Sequence, residues 1–152
     1  MAIRIIAIGK KHEPWVVDGI ERYQKRLGRP FDVEWVLLPH SARHGHAARV
    51  EESERIVARL KPDEYVVLLD ERGRQMDSPA LSRMVRTQLD HSRSVAIIIG
   101  GAYGVDRTIH ASADVVWSLS PLVFPHQLVR LILTEQLYRA QEIANGGPYH
   151  HE

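Results

Sequence analysis

The sequence contains no cysteine, which excludes disulfide bonds, thiol catalysis and the cysteine-based zinc and iron–sulfur centres. It also lacks any apolar run close to the roughly 20 residues that a membrane-spanning helix needs. The apolar start of the chain is not followed by the small-residue cleavage site of a signal peptide. We therefore expect a cytoplasmic protein with no targeting segment and no membrane partner.

An excess of charge of one sign is also missing, because 20 basic residues stand against 19 acidic ones in 152 residues. This length predicts a single domain, spanning 1–152, that buries its own core. The charge is distributed unevenly, however: residues 1–30 carry a net +4 and the remainder a net −3. A basic segment of this kind can bind phosphate groups. A solvated helix face is the simpler explanation of the charge alone.

Short β-rich segments alternate with helical patterns along the chain. Strands are predicted over 3–8, 33–38, 65–69, 95–99 and 115–118. Helices are predicted from Pro14 to a stop at Gly28, over about 47–60, from a cap at Ser78 to Leu89, after a cap at Asp106, and over 126–144. This order predicts an α/β fold with a mostly parallel sheet covered on both faces.

Ligands of such sheets bind beyond the carboxyl ends of the strands, and two of the loops there suit a small ligand. Gly100 and Gly101 open the loop after the fourth strand, where glycine lets backbone approach a ligand closely. Their spacing matches neither the dinucleotide nor the P-loop motif, and a tight turn explains them equally well. The loop 119–124 is apolar and stiff, so it can hold a flat heterocycle such as adenine. A loop simply buried under the next helix has a similar composition.

The last predicted helix carries Glu135 and Arg139 four residues apart within an arc of leucine and isoleucine. Such a pair is either satisfied in the core or faces a site or a second subunit. The chain ends in GGPYHHE, whose aromatic ring and imidazoles suit proton handling or base stacking. The histidines at 40, 44 and 46 and in this tail match no known metal-site spacing, and we expect no metal.

The segments IIGGAYG, WSLSPLVFPHQLVRLILTEQLYRAQEI and GGPYHHE together resemble the bacterial RlmH-type methyltransferases of the SPOUT (α/β-knot) superfamily. The resemblance covers the whole chain and is most specific in its C-terminal third. It implies a single-domain α/β-knot fold with a C-terminal trefoil knot, and a homodimer. It further implies S-adenosyl-L-methionine as the methyl donor and N3 of a pseudouridine in large-subunit ribosomal RNA as the acceptor.

Carried onto this chain, the resemblance implies roles for three groups of residues. The cofactor contacts are Leu69, Gly100, Gly101, Leu119, Ser120, Pro121, Leu122, Val123 and Phe124. The catalytic group is Glu135, Arg139, Tyr149 and His150, in which the Arg139 cation or the His150 imidazole favours loss of the N3 proton. The candidates for RNA phosphate contacts are Lys10, Lys11, Arg22, Lys25 and Arg26.

One position departs from the family pattern, because many members carry Arg or Lys where this chain has His151. A permanent cation is therefore absent there, since histidine is mostly neutral at pH 7. Two other functions stay open at this point. One is a methyltransferase of the same superfamily that acts on another RNA, and the other is a non-catalytic ribosome-associated binding protein.

Overall fold

The strands and helices alternate as predicted in the computed structural model, which describes residues 3–151. Positions 1, 2 and 152 of the predicted domain lie outside the described residues. The strands are β1 (Ile3–Ile8), β2 (Val33–Leu38), β3 (Tyr65–Gln75), β4 (Val95–Ile99) and β5 (Val115–Ser118). The helices are α1 (Pro14–Gln24), α2 (Gly45–Val57), α3 (Ser78–Asp90), α4 (Arg107–Ser112) and α5 (His126–Ala144).

The five strands form one parallel sheet in the order β2-β1-β4-β3-β5. Alternate side chains point to opposite faces, so each strand contributes to two cores. On one face, β-strand residues such as Ile5 and Ile97 pack with α3 and α5. On the other face, Ile6 and Ile98 pack with residues of α2 and α4. The predicted parallel sheet covered on both faces is confirmed, whereas the trefoil knot stays a prediction.

Several predicted boundaries were wrong by a few residues. Helix α1 ends at Gln24, because the next residues form a tighter turn in which the Leu27 amide donates to the Gln24 carbonyl at 3.0 Å. The apolar spacing continued to Leu27 because that side chain still packs on the core. Helix α2 both begins and ends earlier than predicted, at Gly45 and Val57. The N-cap of α3 is Asp77 and not Ser78, since its carboxylate accepts the Ala80 amide at 2.8 Å.

The largest difference lies in β3, which was predicted to end at Leu69 but continues to Gln75. Leu69 and Arg74 both pair with Trp117 of β5, so residues 70–73 form a bulge within β3 and the same partner residue is met again after it. Gly73 permits this bulge, because a Cβ there would lie 2.6 Å from the Val116 carbonyl oxygen. The polar sequence of this segment carries no strand pattern, which is why the continuation was missed.

Helix α5 packs against α1 and α3 and buries its polar side. Arg130, Thr134 and Gln141 lie inward, where Gln141 accepts the Gly28 amide at 2.8 Å and donates to the Arg26 carbonyl at 2.9 Å. The opposite side is a half-buried stripe, which we call the α5 stripe, formed by Leu128, Ile132, Glu135 and Arg139. Among residues 3–151, no helix has both the length and the apolar character needed to cross a membrane.

Candidate active site

A cavity of about 510 Å³ lies beyond the carboxyl ends of β3, β4 and β5, within the size range of small-ligand clefts. Parallel strands place the loops that follow them at one edge of the sheet, which brings the loops after β3, β4 and β5 together. We call the cavity between these loops the cofactor cavity. The predicted cofactor residues that line it are Leu69, Gly100, Gly101, Leu119, Ser120, Leu122, Val123 and Phe124. Pro121 does not line it: this exposed residue shapes the loop without facing the cavity.

The wall after β4 is built from backbone because side chains do not fit there. A Cβ at Gly101 would overlap the Oε1 atom of buried Glu52, and one at Gly100 would lie 3.0 Å from a Val105 methyl group. The loop turns back on itself through a bridge between Gly101 and Gly104, and Gly104 adopts a φ of +75°. These glycines therefore leave the cavity wall open to close approach by a ligand.

Helix α2 supports this glycine loop from outside. The Arg49 Nε donates to the Tyr103 carbonyl at 2.9 Å, and the Asp106 amide donates to the Ser53 hydroxyl at 3.0 Å. Arg49 and Tyr103 themselves line the cofactor cavity. Sequence reasoning missed both, because α2 is distant in the chain and its contact with the loop depends on the sheet order.

An anionic side chain, Asp70, lines the same cavity at the end of the regular part of β3. Its carboxylate accepts hydrogen bonds from Arg72 Nε at 3.1 Å and Arg72 Nη2 at 2.9 Å. These hydrogen bonds lower the pKa of Asp70, with smaller contributions from the charges of Arg72 and His110, so the group stays ionised at neutral pH. Its place at a strand end was the signal by which sequence reasoning could have found it.

The groups that line the cofactor cavity fit S-adenosyl-L-methionine. The loop 119–124 supplies an apolar wall for a flat adenine, and the glycine backbone allows close contact. The Asp70 carboxylate is suited to accept hydrogen bonds from ribose hydroxyls or from an ammonium group. Leu122 and Val123 remain 68% and 78% exposed at its rim. These two adjacent side chains form a small apolar surface beside the cofactor cavity.

A second cavity, of about 800 Å³, shares the lining residues Trp117, Leu119 and Phe124 with the first. His150 and His151 of the tail line this second cavity. Residues of the segment 117–124 therefore border both the cofactor cavity and a space that the predicted catalytic tail lines. A methyl donor and a nucleobase held in adjacent cavities would meet at this loop.

The four predicted catalytic residues form one connected cluster. Glu135 Oε2 accepts from Arg139 Nη2 at 2.8 Å and from the Tyr149 hydroxyl at 2.9 Å. Arg139 Nη1 lies 3.2 Å from His150 Nδ1, and its guanidinium lies 4.8 Å from the centre of the Tyr149 ring. The α5 helix holds the ion pair, and the tail folds back onto it. The structure thus brings these residues together, while their catalytic roles stay predictions.

Protonation states follow from these contacts. Burial, together with the hydrogen bond to Glu135, raises the pKa of Tyr149 to about 12, so its hydroxyl is a donor and not a base at neutral pH. The hydrogen bond to Glu135 also raises the pKa of Arg139, which remains a cation. Since arginine only donates, its contact requires an unprotonated Nδ1 on His150. In the neutral ring, Nε2 then carries the hydrogen.

The predicted RNA-binding side chains are all exposed near the start of the chain: Lys10, Lys11, Arg22, Lys25 and Arg26. Arg26 lies 6.0 Å from the ring centre of Tyr138, which in turn lies 4.7 Å from the ring centre of Tyr149. Aromatic rings therefore connect the basic end of α1 with the catalytic cluster of the same chain. Within residues 3–151, no group of three or more histidine, aspartate or glutamate side chains is placed to hold a metal ion.

Comparison with known proteins gives a consistent result along the whole chain. Residues 1–150 match the family described as Predicted SPOUT methyltransferase. A Ribosomal RNA large subunit methyltransferase H of Anaeromyxobacter sp. (strain Fw109-5) is 41% identical over 152 residues, which cover 99% of each protein. The protein of that name from Synechococcus sp. (strain RCC307) is 47% identical over 148 residues, which cover 97% of this chain and 93% of the relative.

A solved structure supports the fold independently of the sequence. The crystal structure of a probable methyltransferase from Bordetella pertussis Tohama I has a TM-score of 0.56 and covers 91% of this chain and 93% of that chain. At 13% identity, this similarity concerns the fold alone. The family resemblance predicted from the C-terminal motifs is confirmed. The chain belongs to the SPOUT methyltransferase family.

Proposed function

We propose that this protein transfers a methyl group from S-adenosyl-L-methionine to N3 of a pseudouridine in large-subunit ribosomal RNA. The observation that supports this most strongly is that the cofactor cavity shares Trp117, Leu119 and Phe124 with a second cavity. That second cavity is lined by His150, which belongs to the Glu135–Arg139–Tyr149–His150 cluster. The relatives named Ribosomal RNA large subunit methyltransferase H match over almost their full length, which is consistent with the same substrate class.

The cofactor cavity would hold S-adenosyl-L-methionine, whose sulfonium supplies an already activated methyl group. Leu69 and the apolar loop would pack against the adenine, and Gly100 and Gly101 would let the backbone approach it. Asp70 would bind a hydroxyl or ammonium group of the same molecule. The protein then has two remaining tasks, which are to align the N3 nucleophile and to favour its deprotonated form.

Arg139 would favour the deprotonated base. N3–H of pseudouridine is a weak acid, and a fixed cation near the ring stabilises the anion that forms when the proton leaves. In the observed arrangement, His150 can donate from Nε2 to a ring carbonyl, which stabilises the same anion. It can accept the N3 proton at Nδ1 only after Arg139 moves away. In both cases N3, once its proton has passed to water or to His150, would be free to accept the methyl group that the sulfonium would supply.

A homodimer is the expected assembly. The α5 stripe is half-buried and apolar around its ion pair, and Leu122 and Val123 lie exposed at the cavity rim. We expect the stripe to pack against a second copy, and ribosomal RNA to bind the basic side chains near α1 of one subunit or its partner. A ribosomal substrate also places the protein in the cytoplasm.

The first test is cofactor binding by calorimetry, followed by methylation of assembled ribosomes and mass mapping of the modified nucleotide. Failure to bind S-adenosyl-L-methionine would indicate a non-catalytic binding protein, and a modified nucleotide elsewhere would indicate another RNA target. Arg139→Ala and His150→Ala should reduce methyl transfer while retaining cofactor binding. Arg86→Ala is the matched control, because Arg86 and Asp90 form a similar i,i+4 pair on the exposed side of α3. Unchanged turnover in both catalytic variants would contradict the assigned roles.

RNA binding has a separate test. Charge reversal of Lys25 and Arg26 should weaken ribosome binding and flatten its salt dependence by about one unit of slope per lost phosphate contact. Lys61→Glu is the control, because Lys61 is exposed and follows α2, which packs on the face of the sheet opposite to α1. Cofactor affinity should stay constant in all three variants. A salt dependence equal to that of the wild type would exclude these side chains from the RNA interface.

A further inference from the structure

The loop between β1 and α1, residues 9–13, which we call the basic loop, has two contrasting sides. The Lys10 and Lys11 side chains are exposed. The backbone of the same loop is held on α5 by hydrogen bonds from two side chains, Arg130 and Gln127. The loop that carries the lysines is therefore fastened to the helix that carries the catalytic pair.

Arg130 is fully buried, and its guanidinium binds backbone carbonyls of the loop and its approach. Nη2 donates to the Ile8 carbonyl at 3.0 Å and to the Gly9 carbonyl at 3.1 Å. Nη1 donates to the Lys11 carbonyl at 3.0 Å and lies 3.2 Å from His12 Nδ1. The planar fork of arginine is suited to bind several acceptors at once, which an ammonium group on a flexible stem cannot reproduce.

Two features show that the loop is shaped around this guanidinium. Gly9 has a φ of +119°, and a Cβ there would lie 2.8 Å from Arg130 Nη2. Burial, and next the charge of Arg130, lower the pKa of His12, so the imidazole is neutral and can accept from Arg130. The His12 ring also packs edge-on against Trp35, with ring centres 4.6 Å apart.

Gln127 adds a second attachment one turn earlier on α5. Its Oε1 accepts the Glu13 amide at 2.8 Å, and its Nε2 donates to the Lys11 carbonyl at 3.2 Å. The Lys11 carbonyl therefore receives hydrogen bonds from both Gln127 and Arg130. The backbone on both sides of the lysines is held, while their charged side chains stay free to bind.

We propose that Arg130 and Gln127 are positioning residues for RNA binding, which hold the basic loop in one conformation on α5. Lys10 and Lys11 are then presented at a set distance from Glu135 and Arg139 on the same helix. A loop that is already ordered loses little conformational entropy when its lysines bind phosphates. This inference rests on the proposed function, because it assumes that the lysines contact ribosomal RNA.

The test is a double-mutant cycle on ribosome binding. Gln127→Ala, the milder change, should raise the ribosome Kd and the KM for ribosomes about five- to tenfold, with kcat and the cofactor Kd nearly unchanged. Arg130→Lys keeps the charge but not the fork, and should act in the same direction. The combined Lys10→Ala and Lys11→Ala change should weaken binding clearly less in the Gln127→Ala background than in the wild type. Ser82→Ala is the control, because it removes a buried hydrogen bond to the Ala140 carbonyl of α5 away from the loop.

Each possible result either supports or overturns the positioning role of Arg130 and Gln127. Two results together would support the positioning role. The loss of ribosome affinity in Gln127→Ala should not be additive with the loss caused by the lysine changes, and the Glu13 amide should exchange hydrogen faster in that variant. Three results would overturn the positioning role. They are full additivity of the two losses of ribosome affinity, an equal loss of affinity in Ser82→Ala, and no loss of affinity when the lysines are changed in the wild type. The proposed function is judged separately by cofactor binding and methyl transfer of the wild-type protein. A wild type that methylates ribosomes without any need for the lysines would refute only the positioning role.

Discussion

Removal of the Tyr149 hydroxyl isolates the contact that holds the tail on α5. Tyr149→Phe deletes the hydrogen bond to Glu135 Oε2 but keeps the ring, which packs on Tyr138 and beneath Arg139. The Glu135–Arg139 ion pair also remains. The substitution therefore changes the docking of the tail and leaves the helix intact.

The expected magnitude follows from the kind of hydrogen bond. A hydrogen bond to a charged acceptor contributes about 1.5 to 3 kcal/mol, and solvent screening at this half-buried site favours the lower end. A loss of about 1.4 kcal/mol changes an equilibrium constant tenfold. The fraction of molecules with the tail undocked should therefore rise about tenfold. Global stability should change little, because the residue is close to the chain end.

Chymotrypsin measures this equilibrium directly, since it cleaves after both tyrosine and phenylalanine. The rate of cleavage after position 149, divided by the rate for the matching free peptide, reports the undocked fraction when reclosing is fast. This ratio should rise about tenfold in Tyr149→Phe. Tyr65→Phe, at the start of β3, is the matched control. An unchanged ratio would refute the conclusion that this hydrogen bond helps to hold the tail on α5.

Three further outcomes follow from the structure. Asp77→Ala removes the N-cap of α3 and should lower the free energy of unfolding by about 1 kcal/mol in urea titrations, whereas no change would contradict the cap. Gly101→Ala forces a methyl group against Glu52 and should weaken S-adenosyl-L-methionine binding about tenfold by calorimetry, while Gly28→Ala, which has open space, should not. Burial, and to a smaller extent the charge of Arg130, lower the pKa values of His12 and His126. Below about pH 6.5 the unfolded chain therefore binds more protons than the folded protein, and the free energy of unfolding should fall as the pH decreases. Urea titrations should show a weaker pH dependence in His12→Gln, and an equal dependence would contradict this origin.

Local patterns predicted the parts of the fold that local physics determines. The wholly apolar β4 and the helix α5 have the predicted bounds, because a buried strand needs continuous apolar residues and a long helix needs sustained periodicity. The Asp106 cap is also confirmed, since a capping carboxylate acts within three residues of the chain. The strand order was not predictable, because it depends on which distant segments pair.

For the candidate site as well, local features could be predicted and contacts between distant segments could not. The loops that line the cofactor cavity could be predicted, because strand ends in parallel sheets meet at one edge. The burial of Arg130 could not be predicted from the sequence. Its acceptors are carbonyls, which every residue carries, so no sequence pattern marks the partner. The hydrogen bond between Glu135 and Tyr149 was missed for a similar reason, since it requires the tail to fold back on α5.

The bulge at residues 70–73 of β3 has a consequence for how such a chain can change. Leu69 and Arg74 both pair with Trp117, so the sheet is continuous on either side of the bulge. Residues can be added or removed between these two anchors without shifting the register of any strand. This segment also supplies Asp70, Glu71 and Arg72 to the cofactor cavity. The wall of the cavity can therefore be lengthened or given new chemistry while the sheet that supports it stays the same.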